Sequence, residues 1–128
     1  MNCYVSGVIR SAGSYAGGIA GITMQGTIIS KCINSASVTA GSTLGGIVGV
    51  NHGTISDCYN TGDITGSDNK TSTQFSDAAG IAGINYEDGL IANCYNLGNI
   101  YAIDTAGGIV SYNEGSISNL FGCCNRWN

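Results

Sequence analysis

The chain contains 128 residues, a length typical of one domain. Charged residues make up only 9% and apolar residues 43%, so the composition is not that of a disordered chain. Only four residues are Lys or Arg and the net charge is −4, which argues against a nucleic-acid partner. We also expect no membrane insertion, because no apolar run reaches the roughly 18 residues of a membrane helix.

An internal repeat organises the sequence from residue 2 onwards. In chain order, a partial repeat occupies 2–9 and further repeats occupy 17–39, 45–65, 79–101 and 107–121. One copy cannot bury its apolar side chains alone, so the copies predict a single repeat domain over residues 1–128. Repeat sequence begins directly after Met1, and we therefore expect no signal peptide in this chain.

Each copy contains three short extended segments, separated by glycine or asparagine turns. In the copy at 45–65 these segments are 46–50, 54–60 and 63–65. β-branched residues dominate them, and no window has the spacing of an amphipathic helix. We therefore predict an all-β fold, namely a parallel β-helix (β-solenoid) of about four to five coils with three short strands per repeat.

Stacked copies would place like side chains in columns. The predicted interior columns are Ala20/Val48/Ala82/Val110, Ile22/Val50/Ile84/Tyr112, Ile29/Ile55/Ile91/Ile117 and Val38/Ile64/Ile100. Two asparagine columns, Asn51/Asn85/Asn113 and Asn34/Asn60/Asn96, are expected at turns, where the amides bond to the backbone or to the next asparagine. For the column Ile19/Ile47/Ile81/Ile109 two orientations are open. Strict alternation would expose it, whereas a glycine bulge would turn it inward.

Six cysteines occur in the chain. Four share one repeat position: Cys3, Cys32, Cys58 and Cys94. Because Leu120 takes this position in the last copy, we favour a buried column of free thiols. Disulfides between neighbouring coils are the alternative, although side chains in register point the same way. Cys123 and Cys124 lie outside the repeat, no zinc-binding spacing occurs, and we expect no cofactor.

Two features are candidates for binding. The polar segment 66–78 breaks the repeat and is predicted to be a tolerated surface loop or, alternatively, a binding loop with Phe75 as its anchor. Tyr59, Tyr95 and Phe121 form a row, with Ile33 in the earlier copy. If these rings face outward they can stack on sugars, and if they face inward they belong to the core.

A catalytic site is not evident in the sequence. His52, Glu87 or Asp88, and Glu114 occupy equivalent turns and form the best cluster for acid–base chemistry. Ordinary solvated turn residues give the same pattern, and the chain lacks a nucleophile elbow, a P-loop and a dinucleotide fingerprint. We therefore predict that the protein is not an enzyme.

The elements Gly-Gly-Ile-Val-Gly (45–49), Gly-Thr-Ile-Ser-Asp-Cys-Tyr-Asn (53–60) and Thr-Gly-Asp-Ile (61–64) resemble the GLUG repeat of bacterial surface proteins. That repeat occurs in adhesin-like proteins and in the non-catalytic regions of immunoglobulin A peptidases. The resemblance implies an extracellular or cell-surface setting in a bacterium and a non-enzymatic role as a stalk or binding face. Host glycans or matrix proteins are then the expected partners. A carbohydrate-binding or carbohydrate-active β-helix is the alternative.

The two ends of the chain suggest self-association. The sequence starts with the back half of a copy and finishes with most of a front half, so one molecule could supply what the next one lacks. Because a terminal coil of a solenoid exposes unpaired strand edges, we predict end-to-end association, either head to tail between molecules or with more of a longer chain.

Overall fold

The computed structural model describes residues 2–12, 14–66, 76–122 and 125–127, and every regular element among them is a β-strand. This part of the chain therefore contains no helix that could cross a lipid bilayer. In chain order the strands are β1 (Tyr4–Val5), β2 (Val8–Ser11), β3 (Tyr15–Gly17), β4 (Ala20–Ile22), β5 (Ile28–Ser30), β6 (Ile33–Asn34), β7 (Ser37–Ala40), β8 (Thr43–Gly45), β9 (Val48–Asn51), β10 (Thr54–Ser56), β11 (Tyr59–Asn60), β12 (Ile64–Gly66), β13 (Asp77–Ala79), β14 (Ala82–Asn85), β15 (Leu90–Ala92), β16 (Tyr95–Asn96), β17 (Ile100–Ala102), β18 (Thr105–Gly107), β19 (Val110–Asn113), β20 (Ser116–Ser118), β21 (Phe121–Gly122) and β22 (Asn125–Trp127).

These strands form five parallel sheets, which we number I to V in the order in which the chain enters them. Sheet I contains β1, β6, β11, β16 and β21, and sheet II contains β2, β7, β12, β17 and β22. Sheets III, IV and V start at β3, β4 and β5 and contain four strands each. Neighbouring strands in a sheet are one coil apart, so the chain makes four coils and two further strands. The predicted parallel β-helix is confirmed.

Each coil has five strands where the sequence predicts three per repeat. The predicted segment 54–60 divides into β10 and β11 because Asp57 has a φ of 54°. A left-handed backbone cannot continue an extended strand, so it forms a corner. Lys31, Asn93 and Asn119 form the equivalent corners. Strand β8 lies outside the predicted segments, and its Leu44 is buried in register with Ala16 and Ala78.

Like residues stack on like residues along the solenoid. Ile55 pairs in register with Ile29 and Ile91, and all three are buried. The buried side chains form two clusters. One contains the column through Ile55 together with the column through Val48, and the other contains the column through Ile64 together with Leu44. Three of the four predicted interior columns are therefore confirmed, although Ile117 at the end of the column through Ile55 is 46% exposed.

The fourth predicted column is buried only in part. Val50 is buried and Ile84 is half-buried, whereas Ile22 in the first coil and Tyr112 in the last are 47% and 54% exposed. None of these four residues belongs to either buried cluster.

The column Ile19/Ile47/Ile81/Ile109, for which the sequence allows two orientations, faces inward. Ile47 and Ile81 are completely buried, and Ile19 and Ile109 pack partly buried against the same cluster. A bend at Gly46 and Ile47 separates β8 from β9, and Ile47 enters the core at this bend.

Two asparagine ladders run along the coil corners. Asn34 donates from Nδ2 to Oδ1 of Asn60 at 2.8 Å, and Asn60 donates in the same way to Asn96 at 2.8 Å. The second ladder joins Thr23, Asn51, Asn85 and Asn113 through side-chain hydrogen bonds of 2.6 to 2.8 Å. The predicted hydrogen bonding of both columns is confirmed. Among the described residues no buried side-chain nitrogen or oxygen lacks a hydrogen-bond partner.

The boundaries of the inserted segment and of the last coil differ from the prediction. β12 ends at Gly66, but the end of the predicted loop 66–78 is already strand, because β13 starts at Asp77 and buries Ala78 in register with Leu44 and Ala106. At the far end, β21 and β22 pair with β16 and β17. β21 and β22 therefore continue sheets I and II beyond the fourth coil.

Candidate functional site

The turns between sheet IV and sheet V form an open cleft along one edge of the solenoid. Its volume is about 550 Å³, and it is lined by side chains from four successive coils: Gln25, His52, Tyr86, Glu87, Asp88 and Glu114. The ladder through Asn51, Asn85 and Asn113 fixes the residue that precedes three of these turns. The cleft is therefore built by the repeat itself.

His52 is held by two residues of the next coil. Its Nδ1 lies 2.9 Å from Oδ1 of Asp88, and its ring stacks on Tyr86 with centroids 4.6 Å apart and planes 11° apart. Both members of the His52–Asp88 pair are about one-third exposed, at 31% and 33%. The turn after Asn85 is two residues longer than the turn after Asn51, and Asp88 lies in this extension and reaches back to His52.

Two glutamates complete the cleft. Glu114 Oε1 accepts a hydrogen bond of 2.9 Å from the hydroxyl of Tyr112, and this bond raises the pKa of Tyr112. Glu87 is exposed and makes no hydrogen bond or ion pair within the described part of the chain. No Lys or Arg lines the cleft. The site therefore offers carboxylate acceptors, an amide, an imidazole and an aromatic ring.

The structure thus brings together the four residues that the sequence assigns to equivalent turns, His52, Glu87, Asp88 and Glu114. The sequence does not single out Tyr86 or Gln25 as site residues. A usable signal exists for Tyr86, because it follows the ladder residue Asn85 just as His52 follows Asn51.

Tyr59 and Tyr95 of the predicted aromatic row lie on the outer face of sheet I. Tyr59 and Tyr95 are in register and half-buried, and their rings stack with centroids 4.6 Å apart and planes 6° apart. Ile33 precedes Tyr59 in this row, as predicted. The row continues one strand further, to Tyr4, which is 67% exposed. Stacking covers the ring faces between Tyr59 and Tyr95, so this row offers less ring surface to a sugar than the sequence suggests.

The two other predicted aromatic contacts are only partly described. The backbone of Phe121 pairs with that of Tyr95 at the end of sheet I. Phe75, the proposed anchor of the inserted segment, lies outside the described residues.

The cysteine column is a column of free thiols, as the sequence favours. Cys32, Cys58 and Cys94 are completely buried and reduced, and Cys3 is half-buried and reduced. Each buried thiol donates to the carbonyl two residues earlier, for example Cys58 Sγ to Ser56 O at 3.1 Å. The hydrogen bond with Cys94, together with burial, raises the pKa of Cys58, and burial raises the pKa of Cys32. Cys32 and Cys58 are therefore protonated groups of the core, whereas the hydrogen bond with Cys58 lowers the pKa of Cys94, which is equally buried.

The site has the chemistry of a binding surface for polar ligands. Carboxylates accept hydrogen bonds from hydroxyl groups, and the amide of Gln25 can donate and accept. Within the described ranges, no group of three or more His, Cys, Asp and Glu side chains is placed to hold a metal ion.

The five parallel sheets wound around a continuous core define a parallel β-helix. Residues 40–65 match the family model of the GLUG motif, and this match supports the predicted GLUG-repeat region. The matched stretch contains β9 to β11, and the other coils place equivalent residues in register with it. The motif indicates a repeat module of the kind found in extracellular or surface proteins. Comparison with curated proteins and with solved structures gave no match.

Proposed function

We propose that this chain is a non-enzymatic repeat module of a bacterial surface or secreted protein, in which it acts as an adhesin-like stalk or binding face. The main support for this proposal is that equivalent strands of neighbouring coils are paired in register. Strands at each repeat position pair with their equivalents one coil away, so added coils lengthen the module without changing its cross-section. Such an architecture suits a spacer that presents side chains at regular intervals.

Two experiments test this role. Antibodies against the fold should label intact cells of the source bacterium if the module is at the cell surface. Binding of the purified module to mucins, host matrix proteins and immobilised glycans tests the adhesive part. Uniform absence of binding would leave only the spacer role. Hydrolysis of a polysaccharide that is abolished by Glu87→Ala or Glu114→Ala would contradict the non-enzymatic assignment.

Carbohydrate binding is the second function that we propose. The observation that favours it is the cleft between sheets IV and V, because its size lies in the range of small-molecule sites and its lining mixes an aromatic ring with hydrogen-bonding groups. The stacked row at Tyr59 and Tyr95 is a second candidate surface, in which each ring covers one face of the other, as His52 covers one face of Tyr86 in the cleft.

End-to-end self-association is a further part of the proposal. Every strand of the first coil carries one large apolar side chain that is at least half or nearly half exposed: Tyr4, Val8, Tyr15, Ile22 and Ile28. A second copy that docks on this coil would cover part of this surface and pair the free strand edges. Light scattering at rising concentration should then detect oligomers, and Val8→Lys should suppress them. A strictly monomeric protein at high concentration would contradict this part.

A further inference from the structure

The cleft between sheets IV and V differs from the rest of the surface in the way its aromatic ring is fixed. Tyr86 stacks on His52, and His52 is in turn bonded through Nδ1 to Asp88. The three side chains come from two coils and hold one another in place. A ring that is fixed before binding loses little conformational entropy when a ligand contacts it.

Hydrogen-bonding groups surround this ring on several coils. Glu87 extends from the same turn and has no partner in the described structure, while Glu114 lies one coil further and is oriented by Tyr112. Gln25 lies at the other end, in the first coil. Because the groups are spread over four coils, they match an extended oligomer of hydroxyl-bearing units better than a single small molecule.

The charge of the lining restricts which oligomer can bind. Glu87, Asp88 and Glu114 bring carboxylates into the cleft, and of these only Asp88 is bonded to His52. No Lys or Arg is present among the lining residues to balance a bound anion. An anionic group placed here would lose its hydration and face like charges.

We infer that the cleft binds neutral oligosaccharides, with Tyr86 against a sugar ring and Glu87 and Glu114 accepting hydrogen bonds from hydroxyl groups, and that it rejects uronates and sulfated sugars. This inference rests on the carbohydrate-binding function proposed above and adds the site and the ligand class. His52 acts as a positioning residue, because it holds Tyr86 and does not need to touch the sugar.

The test is an array of immobilised oligosaccharides that contains neutral glucans, xylans and chitin fragments beside polyuronates and sulfated glycans, probed with the whole chain. Neutral members should bind, and their affinity should fall at least about tenfold in Tyr86→Ala. Glu87→Gln keeps the shape of the side chain and removes its charge, so it should weaken the discrimination against polyuronates. Tyr101→Ala and Asp63→Asn, on other surfaces, serve as matched controls and should bind like the parent chain.

The outcomes separate this inference from the function on which it rests. Neutral glycans that bind Tyr86→Ala as well as the parent chain would leave carbohydrate binding intact but place it outside the cleft, which overturns the inference. Preferential binding of polyuronates would overturn the ligand class. If no glycan binds at all, the carbohydrate function falls together with the inference. Circular dichroism spectra of the variants that match the parent spectrum exclude misfolding as the cause of lost binding.

Discussion

Asn60 and Asn96, which are 36 residues apart in sequence, are joined by a hydrogen bond of 2.8 Å between Nδ2 of the first and Oδ1 of the second. Asn60 also donates to Gly62 O and accepts from Asn34, so its amide serves three coils. It is completely buried. In this position both the donor and the acceptor of one small side chain are used, and only asparagine supplies this combination at this size.

Asn60→Asp should therefore destabilise the protein strongly. The substitution removes the Nδ2 donor that bonds to Asn96 Oδ1 and Gly62 O, and it buries a carboxylate beside these two oxygens. We expect a loss of more than about 3 kcal/mol in the free energy of unfolding, measured by urea denaturation. Asn113→Asp is the matched control, since Asn113 ends the other ladder and is exposed. It should cost less than about 1 kcal/mol. Equal losses of stability at the two sites would show that burial of the asparagine does not determine the cost of the substitution.

Position 46 requires a glycine because it lies against Asn60 of the ladder Asn34/Asn60/Asn96. A Cβ added at Gly46 would lie 2.5 Å from Asn60 Cγ and would also overlap the carbonyl oxygen of Gly80. We expect Gly46→Ala to lower the free energy of unfolding by at least about 2 kcal/mol, because neither backbone nor ladder can move without breaking other coils. Gly21→Ala is the control, since its nearest contact would be 3.2 Å from Tyr15 O. A thermal melt of the two variants checks the difference, and equal melting temperatures would contradict the predicted clash.

The repeat allows much of the fold to be predicted, because residues that recur in the buried columns have one physical role in every copy. Ile55 and Asn60 are of this kind. The corners are different. Lys31, Asp57 and Asn93 share a left-handed φ, yet they share no side-chain chemistry, so the sequence does not reveal that they divide the coil into five strands.

The candidate site could be predicted only in part for a similar reason. Its residues His52, Glu87, Asp88 and Glu114 lie in equivalent turns of the repeat, so the sequence alone identifies them as a cluster. The bond from His52 to Asp88 depends on the two-residue extension of one turn, which has no counterpart in the turn after Asn51. The direction in which Tyr59 and Tyr95 face depends in turn on the burial of the neighbouring Asn60.

The buried thiols should resist modification in the folded protein. Cys32, Cys58 and Cys94 are completely buried, whereas Cys3 is only half-buried. We expect an alkylating reagent to label Cys3 in the native state and the other three only in denaturant, with labelled peptides identified by mass spectrometry. Rapid native labelling of Cys58 would contradict the burial of the column. Peptides linked through Cys58 and Cys94 would instead support the disulfide alternative.

Asp77 at the start of β13 should make the stability of the protein depend on pH. Burial raises the pKa of Asp77, and the charge of Asp104 acts in the same direction, while a hydrogen bond with Thr105 opposes them. The folded state therefore binds the proton more tightly than the unfolded state does. Stability decreases as pH rises from the unfolded pKa through the folded pKa, and the penalty is complete at neutral pH.

Asp77→Asn removes this penalty and keeps an acceptor for Thr105. The variant should be more stable than the parent at pH 7, and its advantage should shrink as pH falls below about 4, where the aspartate of the parent is protonated in both states. Urea denaturation between these pH values measures the difference. Thr105→Val provides the matched variant: it removes the opposing hydrogen bond, so it should make the pH dependence of stability steeper. An Asp77→Asn variant that is less stable than the parent at pH 7 would show that the bond to Thr105 outweighs the cost of burying the charge.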